Sequence, residues 1–271
     1  MGSITNYLED ELLDHVFNAA WTAPTTIYLA LATADPTDAA TGASMNEVAN
    51  SGAYARTAIT VGAASSRRVT QDADVTFAEA TGSWGTVTHW AITNSATHGA
   101  GDVLAHGAFT ASKAVVSGNT AKVASGEIYV EYSAGAISDY LADALMDLAF
   151  NNTAYSVPPT YIGLTTATVS DSNTGTSITE VSGGSYARKQ VNINGGASPT
   201  WDLASSGSVA NTHDVTLVTA TASWGTVTSM VICDAATTGN LLFYDNAMTD
   251  QAVGDGDTVT FTAGNLSIAM S

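Results

Sequence analysis

One short stretch of this chain occurs twice. ATGSWGTVTHWAI at residues 80–92 returns as ATASWGTVTSMVI at residues 220–232, and the central SWGTVT is identical in both. Chance is a poor explanation, because the chain contains five tryptophans among 271 residues. A duplication constrains the fold strongly, since two copies of one sequence are expected to form two copies of one structure.

Other segments repeat in the same order and at nearly the same spacing. We therefore predict two homologous modules, residues 1–135 and residues 136–271, joined at the short junction SAGAIS. The further matched segments are NYLEDELLDHVF with DYLADALMDLAF (6–17 and 139–150), TIYLALATA with TYIGLTTAT (26–34 and 160–168), GAYAR with GSYAR (52–56 and 184–188), and GNTAKVASGEIYVEYS with GDTVTFTAGNLSIAMS (118–133 and 256–271).

The residue pattern predicts a mainly β fold. Leu8, Leu12 and Val16 are spaced at i, i+4 and i+8, which predicts an amphipathic helix at the start of each module, with Asn6 and Asp139 as its caps. The following segments are short, rich in β-branched and aromatic residues, and separated by Gly, Asn and Asp turns. Each module is therefore expected to be a β-sandwich or barrel-like unit that carries one N-terminal helix.

Charge and composition exclude several classes of function. The chain is acidic, with 25 Asp and Glu against seven Lys and Arg, so phosphate backbones are repelled and no nucleic acid partner is expected. No run of about 18 apolar residues is present and no Sec-type signal is visible, which predicts no membrane insertion. The single cysteine, Cys233, lies among apolar residues and is expected to be a buried structural thiol.

The chain lacks the familiar catalytic motifs. There is no GxSxG elbow, no phosphate-binding GxxxxGK loop and no GxGxxG turn, and no histidine recurs in the other module. We therefore predict no enzymatic activity, no cofactor and no metal. Asp14 and Asp147 recur at matched positions, where they are expected to be solvated residues on a helix face.

An arginine and a glutamate recur together in each module. Arg56 and Arg188 are two of only four arginines, and they follow Glu47 and Glu180 by a spacing that fits a strand, a turn and a return. We predict a Glu–Arg ion pair in each module. The alternative interpretation is that the arginine binds a carboxylate or an acidic sugar.

Aromatic residues accompany both repeated motifs. Tyr54 and Tyr186 precede the arginines and are expected to pack on the sheet. Trp84 and Trp224 are expected to anchor the core at the start of a strand. Because a glycine follows each tryptophan and leaves room for a ligand, the alternative is that the indole stacks on a sugar ring.

The ordered motifs resemble a known family of phage proteins. YLEDELLDHVF, TIYLALATADPTD, EV, YAR, ATGSWGTVTHWAI and LAHGAFTASKAVVSGNT resemble small tailed-bacteriophage virion proteins usually labelled tail fibre proteins. The resemblance covers residues 4–133 almost end to end, and residues 137–271 follow it more loosely, without the Asp35-Pro36 turn. It implies a non-enzymatic structural protein on the particle surface, assembled into virions in the host cytoplasm.

Two positions on the particle are compatible with this resemblance. The first is a tail fibre or adhesin, and the alternative is a head decoration (cement) protein that binds the capsid lattice. The expected partners are other virion proteins (a tail protein or the major capsid protein), further copies of the same chain, and a host surface glycan. Two lower alternatives are a polysaccharide-degrading enzyme and a carbohydrate-binding module.

Overall fold

The structure is a computed structural model that describes residues 2–132 and 136–270. The centre of the predicted junction, residues 133–135, lies outside the described residues. The described chain is mainly β and contains a curled half-barrel sheet, which confirms the predicted fold class. No helix among the described residues is long and apolar enough to span a bilayer.

Two helices occupy matched positions and begin at matched hydroxyl caps. Helix α1 covers Asn6–Phe17 and helix α2 covers Asp139–Asn151. The main-chain N–H of Leu8 donates to the hydroxyl of Thr5, and that of Leu141 donates to the hydroxyl of Ser138. The predicted caps were therefore wrong by one residue, because Asn6 and Asp139 are already helical and the preceding hydroxyl reaches the free N–H in the first turn.

The first half of the chain forms one large sheet and one separate strand pair. Seven strands follow the order β3-β2-β6-β7-β1-β9-β4, and β5 pairs with β8. All pairings are antiparallel except the parallel bridge between β1 and β9. The strands are β1 (Gly2–Ile4), β2 (Ile27–Ala32), β3 (Thr57–Ile59), β4 (Arg68–Thr70), β5 (Val75–Glu79), β6 (Gly85–Thr93), β7 (Val103–Val115), β8 (Thr120–Val123) and β9 (Tyr129–Glu131).

The second half repeats most of these pairings in shorter strands. Four strands follow the order β11-β10-β15-β16, and β12/β19, β13/β18 and β14/β17 form separate antiparallel pairs. The strands are β10 (Thr160–Thr165), β11 (Lys189–Val191), β12 (Ser208–Ala210), β13 (Val215–Thr216), β14 (Gly225–Val227), β15 (Ser229–Cys233), β16 (Leu241–Asp245), β17 (Gln251–Val253), β18 (Thr260–Phe261) and β19 (Ser267–Ala269).

The chain forms two compact units, and most of each helix belongs to the unit built from the other half of the sequence. The predicted division at residues 135 and 136 follows the sequence repeat, and it stays a prediction about which segments fold as independent domains. Unit 1 comprises Met1–Glu9, Thr22–Ser133 and Asp143–Tyr155, and unit 2 comprises Asp10–Trp21, Ala134–Ala142 and Ser156–Ser271.

Polar side chains on one stripe of α1 hold a loop within unit 2. The carboxylates of Asp10 and Asp14 each accept a hydrogen bond of 2.7 Å from a main-chain N–H in residues 202–207. The side-chain amide of Asn18 donates to a carbonyl of the same segment at 2.7 Å. We call residues 202–207 the cradle loop of unit 2, because the helix lies against its main chain.

Helix α2 makes the matching contacts within unit 1. Asp143 and Asp147 accept hydrogen bonds of 2.6 and 2.7 Å from main-chain N–H groups in residues 62–67, the cradle loop of unit 1. The side-chain amide of Asn151 donates to the carbonyl of Gly62 at 3.0 Å. Both helices therefore use the same three polar positions for the same purpose.

These contacts correct the expectation that Asp14 and Asp147 are solvated. In each cradle loop the chain turns through positive φ, at Ser66 (53°) and at Ser206 (54°). Such a turn removes main-chain N–H groups from strand pairing, so they need another acceptor. The sequence contains a signal for this role, because Asp, Asp and Asn recur at i, i+4 and i+8, with Asn18 directly after α1 and Asn151 at the end of α2; the predicted pattern does not include Asp10 and Asp143.

Candidate functional site

A cluster of three side chains recurs in the two units, and we call it the Glu–Tyr–Arg cluster. Its glutamate forms a β-bridge with the end of β2 in unit 1 and with the end of β10 in unit 2. This pairing places the carboxylate beside the segment that carries tyrosine and arginine. The members are Glu47, Tyr54 and Arg56 in unit 1 and Glu180, Tyr186 and Arg188 in unit 2.

The ion pair predicted in unit 1 is present and buried. Nε and Nη2 of Arg56 each donate to a different carboxylate oxygen of Glu47 at 2.8 Å, which makes the contact bidentate. The exposed fraction of the side chain is 0% for Arg56 and 4% for Glu47. Nη1 donates to the carbonyls of Ser95 and Ala100, and Nη2 also donates to the carbonyl of Gly42.

The ion pair predicted in unit 2 has the same geometry. Nε and Nη2 of Arg188 donate to the two carboxylate oxygens of Glu180 at 2.8 and 2.7 Å. The remaining donors again bind main-chain carbonyls, here those of Gly175, Ala235 and Thr238. Each arginine thus connects three main-chain carbonyls, which lie in two loops, to one carboxylate.

The hydrogen bonds that the guanidinium group donates distinguish a structural arginine from one that binds an acidic ligand. A guanidinium group carries five N–H bonds. In both units all five are directed at the glutamate or at main-chain carbonyls. An arginine in this state has no free donor for an acidic ligand, so the geometry favours the structural interpretation.

The tyrosine completes the cluster through its hydroxyl group. The hydroxyls of Tyr54 and Tyr186 donate to their glutamates at 3.0 and 2.8 Å and accept the main-chain N–H of Leu31 and Leu164. Burial, together with the nearby glutamate charge, raises the pKa of both tyrosines well above the usual range. The phenol therefore stays protonated at neutral pH, as donation to a carboxylate requires.

The two repeated tryptophans pack against these tyrosines. The ring of Trp84 lies 5.3 Å from that of Tyr54 at 76°, and Trp224 lies 5.2 Å from Tyr186 at 88°. Each indole is 4% exposed, and its N–H donates to a main-chain carbonyl. The following glycine has a φ of about 81° in both units, so its lack of a side chain serves the backbone turn. A buried indole in this position offers no free face to a sugar ring.

The two clusters differ in how well the glutamate is covered. In unit 1 the imidazole of His98 lies 3.6 Å from the carboxylate of Glu47. The corresponding loop of unit 2 is shorter and has no histidine, and the side chain of Glu180 is 22% exposed. A cavity of about 220 Å³ opens there beside Glu180 and Arg188. The ion pair of unit 2 is therefore the more exposed to solvent of the two.

Among residues 2–132 and 136–270, no three His, Cys, Asp or Glu side chains are grouped so that they can hold a metal ion. His106 lies beside two exposed carboxylates, those of Asp35 and Asp38, at 3.2 and 2.9 Å. These contacts tie the loop that contains the Asp35-Pro36 turn to β7.

The prediction that Cys233 is a buried structural thiol is confirmed. Cys233 lies in β15 with 0% exposure. Burial raises the pKa of its thiol to about 12, and this effect exceeds the opposing influence of the Arg188 charge. Because the thiolate is the reactive form, this thiol is protected both sterically and chemically.

Cys233 is expected to resist thiol reagents while unit 2 is folded. At mildly alkaline pH, Ellman's reagent should label the native chain very slowly and should label the chain in urea stoichiometrically. The rate measures opening of unit 2, because the chain has no other cysteine. Rapid labelling of the native chain would contradict the burial described above.

A known protein family matches each of the two repeats separately. The model of a family described as Podophage GP4 fiber I protein gp80 matches the chain twice, over residues 3–131 and over residues 136–269. No curated protein matches the chain. The two matches account for almost all of the sequence, and each corresponds to one repeat.

Proposed function

Because the chain belongs to the Podophage GP4 fiber I protein gp80 family, we propose that it is a fibre protein exposed on the surface of a tailed-phage particle, where it acts as an adhesin. The main support for this proposal is that the family model matches both repeats of the chain. Membership of a phage fibre family implies that the chain is a structural virion protein and that it associates with other virion components.

The features that recur in both units support a scaffold role. The Glu–Tyr–Arg cluster is buried in unit 1 and partly exposed in unit 2, and the hydrogen bonds of both clusters are made within the protein. Surface residues and loop lengths, in contrast, differ between the units. Recognition is therefore assigned to surface features that the units do not share, and the two clusters hold the loops in place.

The acidic surface and the tandem fusion suit an exposed fibre component. A net charge of −18 disfavours non-specific association between particles. Two related modules in one chain can also raise avidity for a repetitive surface without any new contact. We assign a tail protein as the attachment partner, further copies of the chain as neighbours, and a host surface glycan as the target, with assembly in the host cytoplasm.

Labelling of purified particles tests the position on the virion. Gold-labelled antibodies against the chain are expected to bind at the tail, and cross-linking followed by mass spectrometry should join the chain to a tail protein. Label distributed over the faces of the head, with cross-links to the major capsid protein, would instead identify a decoration protein and reject the adhesin role.

The proposal also requires that the chain leaves the host polysaccharide intact. Incubation of the purified chain with host capsule or cell-wall material should release no reducing sugar above the level of a heat-denatured sample. Robust release that depends on the folded chain would identify an enzyme and reject the proposal.

A further inference from the structure

Unit 1 contains a cavity of about 540 Å³ beside the end of α2. This volume lies within the range of about 300–1,000 Å³ that is typical of ligand sites. Its apolar part is formed by the largely buried side chains of Ile27, Ile59, Val61 and Phe150. The cavity is lined entirely by residues of unit 1.

Unit 2 has a tryptophan at the position that Val61 occupies in unit 1. Val61 forms a β-bridge with Gln71, and Trp201 forms the corresponding bridge with Asn211. Trp201 is fully buried, and its ring lies 4.6 Å from that of Phe17, which matches Phe150 in the repeat.

The indole of Trp201 is also held by a specific hydrogen bond. Its N–H donates to the hydroxyl of Thr160 at 2.8 Å, at the position where unit 1 has Ile27. A large ring in unit 2 thus replaces a small side chain that borders open space in unit 1. The two units share one scaffold but differ at this cavity.

The polar lining of the unit 1 cavity consists of hydroxyl, amide and carboxylate groups. Thr60 donates its hydroxyl to Oδ1 of Asp72, which leaves Oδ2 as an acceptor for a ligand hydroxyl. Asp74 is held by the ammonium group of Lys122 and by the main-chain N–H of Ser125. Thr25, Thr26 and Asn152 add further groups that can form hydrogen bonds.

We propose that this cavity binds a neutral or amino-bearing sugar of a host surface glycan, and that unit 2 does not share the activity. The inference rests on the proposed adhesin function. The hydroxyl groups of a sugar fit the hydroxyl, amide and carboxylate groups that line the cavity. Acidic sugars are disfavoured, because they meet the charge of Asp72, which has no cationic partner among the lining residues.

The experiment uses the full-length chain and three single substitutions. The chain is first applied to a printed array of neutral, amino-bearing and acidic glycans, and the dissociation constant for the strongest ligand is then measured by calorimetry. Val61→Trp introduces the residue of unit 2 into the cavity. Asp72→Asn removes the charge of the acceptor at the rim, and Asp255→Asn removes the same charge from an exposed loop of unit 2.

Binding is expected for neutral or amino-bearing glycans. Asp72→Asn should weaken it by roughly tenfold, as expected when a hydrogen bond to a charged group is weakened. Val61→Trp should abolish binding, and Asp255→Asn should leave it unchanged. Circular dichroism and thermal melting establish that each variant is folded. If Val61→Trp does not fold, the affinity of Asp72→Asn alone tests whether the cavity binds the glycan.

Three results would overturn the inference. Glycan binding that survives Asp72→Asn and folded Val61→Trp would place the site elsewhere, while the adhesin function would stand. Binding restricted to acidic glycans would reject the ligand class. Absence of binding to every glycan on the array would reject a sugar site, and particle labelling would still test the fibre role separately.

Discussion

Replacement of Arg56 by methionine is expected to lower the free energy of unfolding of unit 1 by about 3–5 kcal/mol, the usual cost of breaking a buried ion pair. Methionine keeps an aliphatic chain but leaves the carboxylate of Glu47 buried without its partner. Three main-chain carbonyls also lose their donor. Hydrogen exchange in β6, measured by mass spectrometry, reports the loss, because this strand crosses the core of unit 1.

Three comparisons make this test specific. The double substitution Glu47→Gln with Arg56→Met should recover part of the stability, since it removes the uncompensated charge. Arg188→Met should cost less, because Glu180 is 22% exposed, and it should accelerate labelling of Cys233. Arg68→Met removes an exposed pair with Glu131 and should have no measurable effect. Unchanged exchange in Arg56→Met would reject the structural role of the cluster.

The second large effect is expected at the cradle loops. Replacement of Asp10 and Asp14 by alanine should release the main-chain N–H groups of residues 202–207, at a cost of about 1.5–3 kcal/mol for each charge-assisted hydrogen bond. Hydrogen exchange should therefore increase in the cradle loop of unit 2. The substituted residues belong to the first repeat, whereas the affected loop belongs to the second.

The matched substitutions in α2 provide the control. Replacement of Asp143 and Asp147 by alanine should increase exchange in residues 62–67 of unit 1 and leave residues 202–207 protected. The opposite pattern, in which each helix protects the loop of its own repeat, would contradict the membership of the two helices in the compact units.

Prediction from the sequence was most successful for charged residues that recur at matched positions of the two repeats. Glu47 with Arg56 and Glu180 with Arg188 were predicted as pairs because scarce charged residues recurred at matched positions. The fold class followed from short β-rich segments and one helical pattern per repeat. Two independent copies of a pattern reduce the chance that either copy is accidental.

Contacts with the main chain were harder to predict. The partners of Asp10, Asp14 and Asn18 are main-chain N–H and carbonyl groups. Every loop has such groups, so the sequence does not indicate which loop they bind. The helical pattern also identifies an apolar face without identifying what covers it. Trp201 was missed for a related reason, because its segment aligns poorly with the first repeat and its partner Phe17 is distant in sequence.

The path of the two helices limits how such a gene can change. Helix α1 begins in unit 1 and ends in unit 2, and α2 does the reverse. Deletion of either repeat would leave one helix without its loop and one loop without its helix. Recombination that inserts a foreign repeat would have to preserve the Asp, Asp, Asn stripe on both sides. We therefore expect both helix–loop contacts to form only when the two repeats stand in one chain.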